Sequence, residues 1–176
     1  MMLAVLTAAV IAQTPVTADS VDPMAAASHG SWLKQAAGAC ESRDFNSLFE
    51  SFVRSAEVRR RYSAPQIELR TLADPRAPGT ARPLSPDAFE IALIDYSYAD
   101  AASVRRWEID PARSFTLLSV EQKHLADGAV RIDYRPGLFR DDGEGDGRTL
   151  VRPTGAPAAY VFSRFGGCWR LTQHLR

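Results

Sequence analysis

The segment 44–62 constrains the fold more than any other part of the chain. Its apolar residues recur at the spacing of one helix face and include three phenylalanines: Phe45, Leu48, Phe49, Phe52, Val53 and Ala56. Asp44 is a favourable N-cap, and Ser55 can cap a second short turn, so a bend is expected there. Such an aromatic stripe has to pack on a broad apolar surface, which only strands can supply here. The segment therefore predicts a helix laid across a sheet.

The remaining apolar segments predict the strands of that sheet. Alternating or continuous apolar runs, bounded by turn residues, cover 66–72, 88–98, 104–109, 114–125, 129–134, 158–165 and 168–174. The run 88–98 is apolar on both faces as far as Ile94, which is typical of a central strand. Asp127-Gly128 and Gly166-Gly167 are hairpin turns. The order predicts an α+β fold, with an N-terminal helix packed on a mostly antiparallel sheet of about six strands.

The composition fits one exported domain. Residues 1–18 are uncharged, and their apolar stretch suits a signal peptide but is too short for the roughly 20 residues of a membrane span. Cleavage is expected after Ala18, followed by a flexible tether over 19–31. Residues 32–176 then form a single domain with irregular loops at 73–86 and 140–155. An ordinary N-terminal helix or buried strand is the alternative for 1–18. The predicted location is periplasmic or secreted, with no membrane span in the mature chain.

The charge and the cysteine content indicate which partners and which compartment suit the protein. The chain has 21 basic and 21 acidic residues, so no net charge attracts nucleic acid or an acidic membrane. Its two cysteines, Cys40 and Cys168, are predicted to form a disulfide in an oxidising compartment. Two buried thiols are the alternative. Arg59-Arg60-Arg61 and Arg105-Arg106 can gather an anion, or can lie solvated with their stems on apolar surface.

Two runs of residues resemble the nuclear transport factor 2-like superfamily, and within it exported bacterial members of unknown function. The first lies in the main helix and comprises Phe45, Phe49, Phe52, Val58, Arg59 and Tyr62; the second closes the sheet with Gly167, Trp169 and Leu171. The resemblance implies a cone-like, curved sheet wrapped on helices, with the last strand packed on the first helix. It also implies a pocket between sheet and helix, where acidic and tyrosine side chains are found in the enzymes of this superfamily.

The end of the predicted central strand carries the candidate catalytic residues. Asp95, Tyr96 and Tyr98 lie in the sequence DYSYAD. A desolvated Asp95 can act as a general base, and a tyrosine hydroxyl can donate to a developing oxyanion. In a regular strand, however, Asp95 points away from both tyrosines. The alternative is that the tyrosines pack and the acid caps a turn.

Metal chemistry has little support in the sequence. Asp142, Glu144 and Asp146 offer oxygen ligands at the spacing of a calcium loop, but position 12 of that loop is Pro153 instead of an acid. A flexible acidic loop is the alternative. The three histidines, His29, His124 and His174, have no zinc-binding spacing. We therefore expect no metal and no cofactor.

Two functions follow as hypotheses. The first is a non-catalytic exported domain that binds a protein partner or a small molecule through its sheet face or the pocket under the helix. Trp107 and Tyr134 are its candidate binding residues, with Tyr160 and Phe162 as further aromatics. The second is a small-molecule lyase or isomerase that uses an Asp/Tyr pair in the same pocket. The partner or ligand is unknown, and a buried carboxylate beside a proton donor would distinguish the two hypotheses.

Overall fold

The chain has an α+β fold in which N-terminal helices pack on a large, mostly antiparallel sheet. A computed structural model describes residues 23–77, 81–94, 98–141 and 148–176. The four helices are α1 (Pro23–Ser42), α2 (Phe45–Arg54), α3 (Ala56–Arg61) and α4 (Ala101–Ile109). The architecture agrees with the α+β expectation. The predicted signal peptide lies outside the described residues.

Helix α1 is longer than the sequence pattern indicated. A flexible tether was expected over 19–31, but α1 begins at Pro23, inside that range, and ends at Ser42. Proline is suited to a first turn because its missing N–H has no partner there in any helix, and alanines follow it. The helix ends where Arg43 takes a left-handed φ of 59°. Asp44 N–H then donates back to the carbonyl of Ala39 at 2.8 Å.

The predicted main helix is present and is divided at Ser55. Asp44 caps α2 by accepting hydrogen bonds from the N–H groups of Asn46 and Ser47 at 3.0 and 3.2 Å. Ser55 has extended backbone geometry, ends α2, and accepts from Val58 N–H at 3.3 Å to begin α3. One residue thus closes one helix and opens the next, as the sequence predicted.

The sheet has nine strands in the described part of the chain, more than the six or so expected. They are β1 (Ser63–Arg70), β2 (Arg82–Leu84), β3 (Leu93–Ile94), β4 (Ala99–Asp100), β5 (Leu117–His124), β6 (Val130–Asp141), β7 (Arg148–Pro153), β8 (Ala158–Phe165) and β9 (Cys168–Leu175). Their order is β2-β1-β9-β8-β6-β5-β4-β3, and β7 pairs with β6. Only β1 and β9 run parallel among these pairs. The extra strands are short or lie within the predicted loops 73–86 and 140–155.

Two strand predictions are wrong. The segment 88–98 forms no central strand, since among its described residues (88–94 and 98) only Leu93 and Ile94 pair, and they do so at the end of the sheet. Phe89, Ile91 and Leu93 are buried in an irregular segment instead, which explains the apolar run. Its backbone is fixed by a side chain, because Ala92 N–H donates to the Tyr160 hydroxyl at 2.8 Å.

The segment 104–109 is helical, not extended. It belongs to α4, whose N-cap Asp100 accepts a hydrogen bond from Ser103 N–H at 2.7 Å. The buried Ser103 hydroxyl donates to the carbonyl of Asp100 at 2.7 Å and accepts from Thr116 N–H at 2.8 Å. These capping bonds favour a helix over a six-residue alternation, which has too few residues to specify a strand.

Helix α2 is fixed on the sheet by aromatic packing. Phe162 of β8 contacts the rings of Phe45, Phe49 and Phe52 edge-on, at centroid distances of 5.3, 5.8 and 5.0 Å. Trp169 of β9 makes a similar contact with Phe45 at 5.4 Å. All five rings are buried. The phenylalanine stripe therefore lies against the last hairpin, as expected, and this packing leaves the middle of the sheet, at β5 and β6, as the wall of a cavity.

Candidate functional site

A cavity of about 420 Å³ lies between α2 and strands β5 and β6. Its lining comes from both layers of the fold and comprises Asn46, Ser47, Phe49, Glu50, Val53, Arg54, Tyr98, Val120, Gln122 and Ile132. The helical members recur at helix spacing, so one face of α2 forms the roof. On the sheet, Val120 and Gln122 are two residues apart and so lie on the same face of β5, and Gln122 pairs with Ile132 of β6. The cavity occupies the position that the sequence predicted for a pocket under the helix.

The lining combines an apolar interior with polar groups. Phe49, Val53, Val120 and Ile132 provide hydrocarbon surface, while Asn46 and Gln122 provide amides that can both donate and accept hydrogen bonds. Small-molecule sites join apolar surface to a few polar groups, and this lining supplies both kinds of surface in about equal shares. Asn46 and Gln122 are exposed residues at its edge. No signal in the sequence singled them out. The position of Gln122 on the same face of β5 as Val120 is the feature that could have identified it.

The charged residues of this cavity are one opposite pair. Glu50 and Arg54 lie one helical turn apart with 3.4 Å between carboxylate oxygen and Nε, and their side chains are 21% and 30% exposed. The Arg54 guanidinium also lies over the Trp32 ring, 5.2 Å from its centroid. Since the two charges cancel, the described lining has no net charge and favours a neutral ligand.

Tyr98 lines the cavity from a strained backbone conformation. Its φ of 47° is in the left-handed region, which costs a non-glycine residue about 1–3 kcal/mol. The conformation is held because Leu118 N–H donates to the Tyr98 carbonyl at 2.8 Å. Strain of this kind is often retained where a side chain has to be aimed at a functional site. Tyr98 is thus the one proposed catalytic residue that is placed at the cavity in the described structure.

The other predicted site residues fall into two groups. Asp95 and Tyr96, and the acidic loop residues Asp142, Glu144 and Asp146, lie outside the described residues. Trp107 is 39% exposed on α4, where it packs edge-on against Phe115 at 5.9 Å. Tyr134 is buried in the core. Neither Trp107 nor Tyr134 lines the cavity under α2.

Tyr134 belongs instead to a buried polar group that the sequence reading missed. Its hydroxyl is 2.8 Å from Nε2 of His174, and its ring stacks on Tyr160 at 4.8 Å. The three side chains lie on the adjacent strands β6, β8 and β9, with Tyr160 paired to both Ile132 and His174. Burial raises the pKa of both tyrosines and lowers the pKa of His174 to about 4. A neutral imidazole can either accept from the Tyr134 hydroxyl through Nε2 or, in the other tautomer, donate to it.

Within the described ranges, no group of three or more His, Cys, Asp or Glu side chains is placed to hold a metal ion. Among the same residues, no helix combines the length and apolarity needed to cross a bilayer.

Comparisons with known proteins gave distant structural matches. No family model and no curated protein matches the chain. A designed NTF2 protein is 12% identical, with 76% of this chain and 97% of that chain covered and a TM-score of 0.35. An association domain described as of the calcium/calmodulin-dependent protein kinase type II, from Thiobacillus denitrificans, is 23% identical (78% and 90% covered, TM-score 0.31). A protein titled as a dehydratase of the NTF2-like family, from Streptomyces avermitilis, is 15% identical (87% and 95% covered, TM-score 0.24).

The names of the first and third of these matches contain the name of the superfamily that the sequence resembles. Because identities are below 25% and TM-scores below 0.5, no functional argument rests on the matches. The layout that the resemblance implies, with the first helices packed on the closing hairpin of the sheet, is present in the chain's own contacts.

Proposed function

We propose that this chain is a non-catalytic binding domain that takes up a small, neutral molecule in the cavity between α2 and strands β5 and β6. The observation that carries the proposal is the cavity itself, about 420 Å³ with an apolar interior and amide groups at Asn46 and Gln122. Ligand sites in proteins commonly range from about 300 to 1,000 Å³, so the volume suits a compact ligand of one or two rings. We propose a small molecule rather than a protein partner because the site is a concave cavity, whereas a protein partner would fit a flat face better.

The chemistry of the lining sets the character of the ligand. An apolar ring would lie against Phe49, Val120 and Ile132, and one or two amide, hydroxyl or carbonyl groups would meet Asn46 and Gln122. Ionic groups gain little there, since Glu50 and Arg54 already neutralise each other. We therefore expect a neutral amphipathic compound.

A lyase or isomerase acting in the same cavity is the second candidate, and Tyr98 is the observation that favours it. The tyrosine hydroxyl would serve as the proton donor, with an acid as the general base. The proposed acid, Asp95, lies outside the described residues. Of the described cavity residues, Glu50 carries the carboxylate, and it is paired with Arg54. A paired carboxylate is a weaker base, so the binding function is the better supported of the two.

The ligand class can be tested by NMR with methyl labels on the valines and isoleucines. A library of neutral one- and two-ring amides and alcohols is added to the full chain, and methyl shifts are followed during titration. The proposal predicts saturable shifts at Val120, Val53 and Ile132. Val151, exposed on β7, is the matched control and should not shift. If no compound in the library shifts the cavity methyls, the proposal is wrong. The NMR spectrum of each bound compound, recorded before and after incubation, separates binding from turnover by either a lyase or an isomerase.

The location is proposed on a separate observation. Cys40 and Cys168 are joined, and disulfides persist mainly in oxidising compartments. We infer that the domain works in the periplasm or outside the cell. This is tested by thiol labelling of protein taken directly from the periplasm and, separately, from the cytoplasm of the producing cells. Protection of both cysteines is expected in the periplasmic sample.

A further inference from the structure

A second cavity, called here the arginine cavity, lies beside the C-terminal end of α2. It has a volume of about 550 Å³ and is lined by Trp32, Val53, Arg54, Arg59, Phe89, Glu90, Ile91, Ile94, Ala101 and Arg105. Val53 and Arg54 also line the cavity under α2, so α2 stands between the two. Three arginines and one glutamate give the described lining a net positive charge, in contrast with the neutral cavity. The sequence alone left open whether these arginine clusters gather an anion.

Arg59 is the most enclosed of the three cations. Its Nη1 donates to the carbonyls of Phe52 and Val53 at 3.0 and 2.9 Å, which fixes the guanidinium on the last turn of α2. The three N–H groups on Nε and Nη2 make no hydrogen bond within the described part of the chain, nor does any described carboxylate pair with Arg59. Burial lowers the pKa of Arg59, because partial desolvation disfavours its charge. An anion entering the cavity would relieve that cost.

Arg105 is compensated only in part. Arg105 and Glu90 are 3.6 Å apart with side chains 59% and 85% exposed, and a pair this exposed contributes little. A carboxylate that approaches Arg105 therefore displaces no strong ion pair. Arg54, by contrast, is paired with Glu50 and lies over Trp32, so the proposed site does not depend on it.

The remaining walls of the arginine cavity are apolar and partly aromatic. Phe89 and Ile91 are buried side chains of the irregular segment between the 3-10 turn (Pro86–Ala88) and β3, and Ile94 follows them. Trp32 of α1 adds a second aromatic ring to the lining. An apolar body can occupy this space while its charged end meets the arginines.

We propose that the arginine cavity is a second ligand site and that it binds an organic monocarboxylate with an aromatic or branched apolar body. The carboxylate meets Arg59, whose planar guanidinium suits two oxygens at once, and Arg105 adds longer-range attraction. The ring or alkyl group lies between Trp32 and Phe89. This site is separate from the cavity under α2 and does not depend on the function proposed for that cavity.

The test is calorimetric titration with benzoate, and with benzamide as the neutral probe of the same shape. Because benzamide also belongs to the ligand class proposed for the cavity under α2, the two probes are compared in the full-length Val120→Trp chain, whose other cavity is filled, as well as in the unaltered chain. We expect saturable benzoate binding that is at least about tenfold tighter than benzamide binding, the discrimination expected of a charge-assisted hydrogen bond. Arg59→Met should remove this preference. Equal affinity for the two probes, or no saturable benzoate binding, would overturn the proposal.

A second variant is needed because Arg59→Met also removes the two hydrogen bonds to α2 and could weaken benzoate binding by disturbing the fold. Arg105→Gln changes an exposed side chain and should weaken benzoate binding about two- to fivefold, as expected for a partly exposed charge. Arg113→Gln, at an exposed arginine outside the cavity, is the matched control and should leave the affinity unchanged. Equal effects of the Arg105 and Arg113 variants contradict the proposal. Val120→Trp, which fills the other cavity, should leave benzoate binding intact, so the two sites can fail independently.

Discussion

Cys40, in the last turn of α1, is bonded to Cys168, the first residue of β9, with 4.9 Å between their Cα atoms. This confirms the pairing predicted from the sequence, and the separation lies within the roughly 4.4–6.8 Å that a disulfide requires. The bond joins positions 128 residues apart. It also holds the junction of α1 and α2 against β9, where Trp169 packs on Phe45.

Loss of this bond should destabilise the domain strongly. In the chain-entropy account, a closed loop of this length restricts the unfolded chain and contributes about 3–5 kcal/mol. The double variant Cys40→Ser/Cys168→Ser should therefore lower the free energy of unfolding by that amount, measured by urea titration. Adding a reductant should destabilise the native protein similarly and leave the variant unchanged. An unaltered urea midpoint in the variant would show that the bond adds nothing to stability.

The helical layer and the closing hairpins were predictable because each has a strong local signal. The apolar period from Phe45 to Ala56, with Asp44 before it and Ser55 within it, defines α2 and its boundary. Gly166-Gly167 predicted the β8–β9 turn, because tight hairpin turns need positive φ values that residues other than glycine rarely take. Both glycines do adopt such values, 57° and 88°. Local sequence and tertiary contacts agree in these elements.

Predictions failed where tertiary contacts outweighed local pattern. The apolar run around Phe89–Ile94 resembles a strand, but it is an irregular segment whose Ala92 N–H bonds to the Tyr160 hydroxyl. No local signal indicates a partner 68 positions away in the chain. Alternation at 104–109 misled for a local reason instead, because Asp100 and Ser103, just before it in the chain, cap the start of a helix.

The cavity under α2 was predictable in position but not in composition. The resemblance to the nuclear transport factor 2-like superfamily implied a pocket between helix and sheet, and the cavity lies there. Its polar members, Asn46 and Gln122, are spread over two elements and become neighbours only in the folded chain. Tyr98 was proposed from the residue types around it, while its left-handed φ has no counterpart in the sequence.

Phe49 is expected to be essential for the packing of α2. Its side chain is 6% exposed, stacks on Phe45 at 5.8 Å and meets Phe162 edge-on. Phe49→Ala should lower the free energy of unfolding by about 3–5 kcal/mol, as for other buried phenylalanines. The matched control is Phe165→Ala, at a ring that is 65% exposed, which should cost less than about 1 kcal/mol. Similar urea midpoints for the two variants would show that the packing of α2 through Phe49 adds little to stability.

Stability should depend on pH through His174. Burial lowers its pKa from 6.5 to about 4 in the folded chain, so the unfolded chain binds a proton first as the pH falls. The contribution of the neutral histidine is complete above about pH 6.5 and is lost progressively between there and about pH 4. Urea titrations across this window should show the free energy of unfolding rising with pH.

The assignment of that slope to His174 can be checked by substitution. His174→Phe should flatten the pH dependence between about pH 4 and 6.5. It should also lower stability at pH 7, because the Tyr134 hydroxyl loses its partner. His124→Phe is the control at an exposed position of β5, and it should keep the slope of the unaltered chain. A slope that survives His174→Phe would assign the effect to other groups.

The most direct test of the binding role is the affinity of a cavity ligand in a chain whose cavity is filled. Val120 is half-buried and faces the cavity, so Val120→Trp fills the space without replacing a fully buried core residue. Titration calorimetry is carried out with the neutral ring compound that binds the unaltered chain, and with Val151→Trp on exposed β7 as control. If the ligand lies under α2, Val120→Trp should weaken binding at least about tenfold, or 1.4 kcal/mol, whereas Val151→Trp should not. Equal affinity in both variants would contradict a ligand site under α2.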